Sequence, residues 1–227
     1  MIEVKALFLQ QKEVYKPMQI AVIDFGIGNL RSVEQALSTV APDANVIVTD
    51  QAQDIDSADR VVMPGQGAMG TWVNALNQKQ LKTSILNAIS EKPMLGICVG
   101  MQALFEQSEE DGGVDGLGIF KGTVRHFRNF HKQQSLLKIP QMGWNQVKQT
   151  QDHPLWHNID DQAHFYFVHS YCANSSQEEK ISYGQTDYQH KFIAAVAQQN
   201  IFAVQFHPEK SHNDGLTLLK NFTQWNG

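Results

Sequence analysis

Two short stretches carry residues whose types and spacing can do covalent chemistry. The first is Gly96-Ile97-Cys98-Val99-Gly100, a cysteine with a glycine two positions away on each side, directly after an apolar run. This has the form of a nucleophile elbow with sulfur in place of oxygen. The turn from strand to helix is sharp and strains the nucleophile's backbone. The glycines let neighbouring segments approach, and the side chain is held out at the carboxyl end of a sheet. A helix opening at that point favours thiolate over thiol. The competing reading is a buried cysteine that packs as a small hydrophobe.

The second stretch is His207-Pro208-Glu209, at the end of the apolar run 201–206. In extended chain, residues i and i+2 point the same way, so Glu209 can hold the His207 ring and fix its tautomer. Pro208 interrupts the ladder and puts the pair at a strand end. An isolated H-x-E would read as a surface histidine with a solvated glutamate. Here Cys98 and His207–Glu209 both fall at the expected carboxyl ends of strands, where open α/β sheets keep their sites. Acyl transfer also needs oxyanion donors. The N–H of Val99 is one, and the glycine-rich stretch 64–69 (PGQGAM) offers a second near Gln66 or Gly67. Otherwise that stretch is an ordinary turn. Gly65 and Gly67 flank Gln66 and tolerate backbone of either hand, so a peptide flip there can turn a donor towards or away from the site.

The elements that must position these residues follow from pattern. Residues 20–25 form a β-branched-rich strand, and Leu30, Val33, Leu37 and Val40 recur at helical spacing. Strands are expected over 45–49, 60–65 (stopped by Pro-Gly) and 93–99, and a helix in two pieces over 72–92. A helix is expected to begin at GMQALFEQS. This alternation implies right-handed βαβ units and a parallel sheet covered on both faces. The second half reads as short strands with polar breaks, fitting antiparallel hairpins, and ends in an amphipathic helix over 214–225.

Composition narrows the function classes. The 227 residues carry a formal charge of −5 and no local Lys/Arg cluster, which argues against a nucleic-acid footprint. Cys98 and Cys172 form neither a C-x-x-C pair nor a disulfide framework, so the cytosol is the expected compartment. Cys172 is expected to be packed, and Trp72, Trp156 and Trp225 to lie in the core or at its rim. No run reaches membrane-spanning length. The histidines show no metal-ligand spacing, and Gly26-x-Gly28 lacks the third glycine of a dinucleotide fingerprint, Arg31 standing there. No cofactor or metal is expected.

With these residues in place, a resemblance is visible. GICVGMQ together with FHPEKS resembles the class I glutamine amidotransferases of the Cys-His-Glu type. IAVIDFGIGNLRSV, MPGQGAM, GICVGMQALFEQSEE, GLGIF, KIPQMGWN, YFVHSY and VQFHPEKS occur in the order seen in the glutaminase subunits of imidazole glycerol phosphate synthases. Gln141 departs from the histidine expected there, and Gln66 from an apolar residue. The Gln66 side chain is expected to matter little. The resemblance implies a flavodoxin-like three-layer α/β fold with antiparallel strands in the C-terminal half. It implies L-glutamine as substrate, Cys98 as nucleophile, His207 as general acid/base and Glu209 as its orienter. Backbone amides of Gln66 and Val99 would form the oxyanion hole. Gly67, Gln102, Glu110, Ser170 and Tyr171 would bind substrate. Ammonia would pass to a (β/α)8-barrel cyclase partner in a heterodimer, with Asn29, Trp144 and Lys210 on the partner-facing side. The alternatives are an amidotransferase subunit serving another synthase, or a stand-alone cysteine hydrolase.

The resemblance covers residues 18–227, the amidotransferase domain, and leaves 1–17 as an N-terminal extension. Deleting residues 1–17 is therefore expected to leave melting temperature and activity nearly unchanged. A large drop in thermal stability would show that the segment packs on the domain.

Overall fold

The computed structural model describes residues 16–130 and 138–227. The boundary proposed at Met18 therefore rests mostly on residues outside the described ones. The elements, in chain order, are β1 (Gln19–Ile23), α1 (Leu30–Val40), β2 (Asn45–Thr49), α2 (Ala52–Ser57), β3 (Arg60–Gly65), α3 (Met69–Gln78), α4 (Lys82–Glu91), β4 (Met94–Cys98) and α5 (Val99–Gln102). They continue with β5 (Phe105–Ser108), β6 (Val114–Asp115), β7 (Phe120–His126), β8 (Gln141–Gln149), β9 (Ala163–His169), β10 (Tyr171–Asn174), α6 (Glu178–Ile181), β11 (Ser182–Asp187), β12 (Lys191–Gln198), β13 (Ile201–Val204) and α7 (His212–Gln224).

Strands β2-β1-β3-β4-β13 run parallel in that order, and the sheet then continues through β12-β10-β7-β5-β6. The parallel part has the flavodoxin-like order. β12 and β13 are antiparallel neighbours, so the last hairpin returns the chain to the edge of the parallel part, where it joins the antiparallel strands. A branch of β11, β8 and β9 leaves through β12. Every residue of β3, β4 and β13 is buried. That explains their continuous apolar runs, because parallel strands covered by helices have no solvent face. In contrast β9 alternates between buried and partly exposed residues. Among the described residues no helix is long and apolar enough to cross a membrane.

One expectation is corrected here. The stretch after Cys98 gives only the single turn α5, and Phe105–Ser108 is strand β5, paired with β7 and β6. Tertiary pairing overrides local helical preference there: Ile119 and Phe120 both donate to the Leu104 carbonyl and pull the chain into the sheet. A helix of one turn has little macrodipole, so the dipole expected at the start of a longer helix is not present beside Cys98. β3 ends at Gly65 as expected, and it stays paired with β4 through Pro64 to Gly65 opposite Cys98. β1 pairs with β3 only as far as Val62, and the Pro64 carbonyl accepts from the Trp72 indole N–H at 3.2 Å. Pro64 thus sits where the ladder has already lost a neighbour, and its missing N–H costs nothing.

The helix-to-sheet contact that matters most is between backbones. A Cβ on Gly100 would lie 1.8 Å from the Met63 carbonyl oxygen, and one on Gly65 would lie 2.6 Å from Val99 Cβ. No side chain fits at either place. Gly100→Ala is therefore expected to destabilise the fold by about 3 kcal/mol or more. Gly26→Ala, where a Cβ meets nothing within 4 Å, is expected to cost only about 1 kcal/mol, from its positive φ. Urea unfolding of the two variants checks the difference.

Candidate active site

Cys98 ends β4 with φ 54° and ψ −109°, a conformation that costs an L-residue about 1–3 kcal/mol. The glycines around it make this tolerable. Besides Gly100 on Met63, Gly96 lies where a Cβ would come 2.9 Å from Ala203 Cβ on β13. The elbow is thus pressed between β3 and β13, and its side chain is turned to the carboxyl end of the sheet. Cys98 is 4% exposed.

His207 approaches from the end of β13. Its backbone N–H donates to the Tyr166 carbonyl on β9 at 2.9 Å. The Ser211 hydroxyl donates to the His207 carbonyl at 2.6 Å and accepts from the Tyr166 N–H at 3.0 Å, clamping the turn to β9. Glu209 Oε1 lies 2.8 Å from His207 Nδ1, with both side chains almost fully buried. The route differs from the extended i, i+2 geometry expected. β13 ends at Val204, and Pro208–Lys210 is a single 3₁₀ turn. Pro208, pre-set in φ, opens that turn and folds Glu209 back under the ring. A Cβ on Gly215 would lie 2.0 Å from the Pro208 carbonyl, so α7 packs against the turn and holds it closed.

Burial alone would depress the His207 pKa. The facing Cys98 sulfur and the Glu209 carboxylate overcome it and push the ring up to about 10. Nε2 has no hydrogen-bond partner within the protein, and neither has Glu209 Oε2. The arrangement suits a proton carried on Nε2 towards the Cys98 side, with Nδ1–H held by a carboxylate.

One cavity of about 390 Å³ collects most of the sequence candidates: Gln66, Gly67, Cys98, Val99, Gln102, Glu110, Ser170, Tyr171, His207 and Lys210 all line it. Glu209 stands behind His207. Asn29 and Trp144 do not line the cavity. Asn29 caps α1, accepting from the Ser32 N–H, and Trp144 is 45% exposed with its ring stacked 4.8 Å from His212. Glu110 is not a free helix-end carboxylate. It accepts from the Met69 N–H at 2.8 Å, and burial raises its pKa against the pull of that bond, with Asp111 adding to the rise. Cys172 is fully buried, and burial pushes its thiol well above the usual range. Trp72, Trp156 and Trp225 are buried as expected.

Four residues acquire roles that motif reading did not give them. Gln205 is wholly buried, with its Nε2 3.7 Å from Cys98 Sγ. His169 lines the cavity, its Nδ1 2.7 Å from the Tyr171 carbonyl and its Nε2 3.0 Å from the Gln141 side chain. Burial pushes His169 down to about 4, so it is neutral near pH 7. Gln141 therefore serves as a non-titrating brace for that ring. The Gln66 side chain has a contact of its own. Its Oε1 accepts from the Asn29 N–H at 3.2 Å, and its stem covers Gly28. The available signal for Gln205 was a polar residue interrupting an apolar run.

The class I glutamine amidotransferase family model matches residues 21–225. The chain belongs to this family. It is 52% identical over 209 residues to imidazole glycerol phosphate synthase subunit HisH of Nitrosomonas europaea, covering 91% of this chain and 98% of that one. The protein of the same name from Hydrogenovibrio crunogenus is 49% identical over 211 residues, with 92% and 97% covered. A solved structure described as a glutamine amidotransferase superposes with a TM-score of 0.66 at 15% identity, covering 90% of this chain and 98% of that one, which shows the shared fold. The class I amidotransferase fold thus has its mixed sheet as expected.

The raised His207 pKa has a stability consequence. A group whose folded pKa exceeds its unfolded value stabilises fully below the unfolded value, near 6.5, and loses that contribution as pH rises towards about 10. Removing the Glu209 charge lowers the folded value and narrows this window. In Glu209→Gln the His207 ring should titrate well below its wild-type midpoint, read by NMR. Unfolding free energy should then fall less between pH 6.5 and pH 10 than in the unaltered chain.

Proposed function

We propose that this amidotransferase hydrolyses L-glutamine to glutamate and ammonia in the cytoplasm and passes the ammonia to a (β/α)8-barrel cyclase partner. Together the two would form imidazole glycerol phosphate synthase, producing imidazole glycerol phosphate and an aminoimidazole carboxamide ribonucleotide in histidine biosynthesis. The observation that carries this reading is a strained cysteine sharing one cavity with a buried histidine, whose other nitrogen is held at 2.8 Å by a carboxylate. High identity to proteins of that name supports the pathway.

The Cys98 thiolate attacks the side-chain amide carbon of glutamine, forming a C–S bond, and the carbonyl oxygen becomes an oxyanion facing the Val99 and Gln66 amides. His207 gives its Nε2 proton to the amide nitrogen as the C–N bond breaks, and ammonia leaves. Water then attacks the γ-glutamyl thioester while His207 Nε2 takes its proton. Collapse of the second tetrahedral species breaks the C–S bond, releasing glutamate and restoring the thiolate. Gly67, Gln102, Glu110, Ser170 and Tyr171 hold the amino-acid end of the substrate, Glu110 facing its ammonium by charge.

Ammonia released into water becomes ammonium, which is not nucleophilic, so transfer must be direct. The partner face on this reading includes Asn29, Trp144 and Lys210. Met142 (62% exposed) and Trp144 stand out on β8 as exposed large apolar side chains. The Gln66 side chain links the oxyanion loop to Asn29, giving the partner a handle on a donor worth about 3 kcal/mol.

Glutamate release should accordingly rise at least roughly a hundredfold when cyclase and its nucleotide ligand are both present. Steady-state assays of the chain alone, with cyclase, and with cyclase plus ligand test this. Equal rates in all three would favour a stand-alone hydrolase. Cys98→Ala should lose all glutamine-dependent turnover while the complex still uses added ammonium salt at high pH. Retained glutaminase activity in that variant would sink the triad assignment.

A further inference from the structure

Gln205 follows the last residue of β13, fully enclosed, with its backbone N–H on the Ala194 carbonyl at 2.9 Å. Its side chain lies between two others. Gln205 Oε1 accepts from Gln102 Nε2 at 3.0 Å, and Gln205 Nε2 lies 3.7 Å from Cys98 Sγ, an ordinary N–H to sulfur separation. Gln102 Nε2 also donates to the Tyr171 carbonyl at 3.2 Å. That carbonyl fixes the sense of the whole row. A backbone carbonyl can only accept, so Gln102 must turn its NH2 inward. Gln205 must then present its oxygen to Gln102 and its NH2 to the sulfur. The orientation of two carboxamides, ordinarily ambiguous, is set by one atom.

We propose that Gln205 is a catalytic residue, whose carboxamide N–H donates to the Cys98 sulfur, holds it as thiolate and aims it into the glutamine cavity. This rests on the reading of Cys98 as nucleophile. The donor is fixed and dry, so it needs no reorganisation when the sulfur is charged. The row Tyr171, Gln102, Gln205, Cys98 also joins the wall of the substrate cavity to the nucleophile. The titratable groups around the sulfur come from several elements. His207, with Glu209 behind it, and Lys210 follow β13. Glu110 follows β5, and His169 and Tyr171 lie at the ends of β9 and β10. Gln205 differs from all of these in being a donor whose charge is the same at every pH.

The test uses Gln205→Met, which keeps the volume and removes the donor. Iodoacetamide alkylation of the Cys98 peptide, followed by mass spectrometry across pH, should show a midpoint raised by about one unit. Glutamate release with cyclase and its ligand should fall by up to about tenfold at pH values below the alkylation midpoint of the unaltered chain, a deficit that closes above the midpoint of the variant as base supplies the thiolate. A purely structural loss would not recover with pH. An unchanged alkylation midpoint, or a deficit that is constant with pH, would overturn the proposal. Should the variant fail to fold, the unaltered chain still decides: the Gln205 side-chain amide resonance should shift with the same pH midpoint as Cys98 alkylation, and a stationary resonance would overturn it. A wild-type chain whose Cys98 alkylates normally but releases no glutamate with cyclase would instead sink the proposed function, leaving the Gln205 titration to be judged by itself.

Discussion

The fold's chemistry depends on one steric constraint, the contact of Gly100 with the Met63 carbonyl. With no Cβ at residue 100, the turn after β4 can be pressed onto the backbone of β3. That pressure, shared with Gly96 against Ala203, holds Cys98 at a positive φ an isolated chain would leave. The same contact brings the loop 65–67 beside Val99, so Cys98 and the backbone amides proposed as oxyanion donors are positioned together. Tight packing of parallel strands does more than stabilise the sheet: it keeps the strained residue in place.

A second constraint is electrostatic. His207 and Glu209 are taken out of water together, and burial by itself would neutralise the ring. It stays cationic because a carboxylate sits on one nitrogen and the cysteine sulfur faces the other side. Buried charges persist only when paired and held. The holding is done from outside the pair, by Ser211 and Tyr166 on one flank and by the Gly215 face of α7 on the other. Burial acts in the same sense on His169, but no carboxylate offsets it there, and that ring remains neutral next to the same cavity.

The two halves of the sheet divide the work. The parallel half carries Cys98, His207 and Glu209 at the carboxyl ends of its strands. The antiparallel half supplies the opposite wall, with Ser170 and Tyr171 where β9 passes into β10. Gln102 and Gln205 bridge the halves, because β13 belongs to both, parallel to β4 and antiparallel to β12.

Much of this was legible in the sequence because it is local. A G-x-C-x-G stretch after an apolar run, an H-P-E after another, and alternating strand and helix periods are set by neighbours along the chain, and they led to the fold class and to Cys98, His207 and Glu209. What tertiary structure decided is what depends on partners far away in sequence. Phe105–Ser108 became a strand because β7, further along the chain, pairs with it. Pro64 stayed inside β3 because β1 had already ended beside it. Glu209 reaches His207 through a 3₁₀ turn closed by α7, where local pattern suggested extended chain. Gln102, at the end of α5, meets the Tyr171 carbonyl and Gln205 across 69 and 103 positions of sequence, where the tertiary fold alone brings them together. Residue type tells what a side chain can donate or accept; only the packing of distant segments tells which atom it faces.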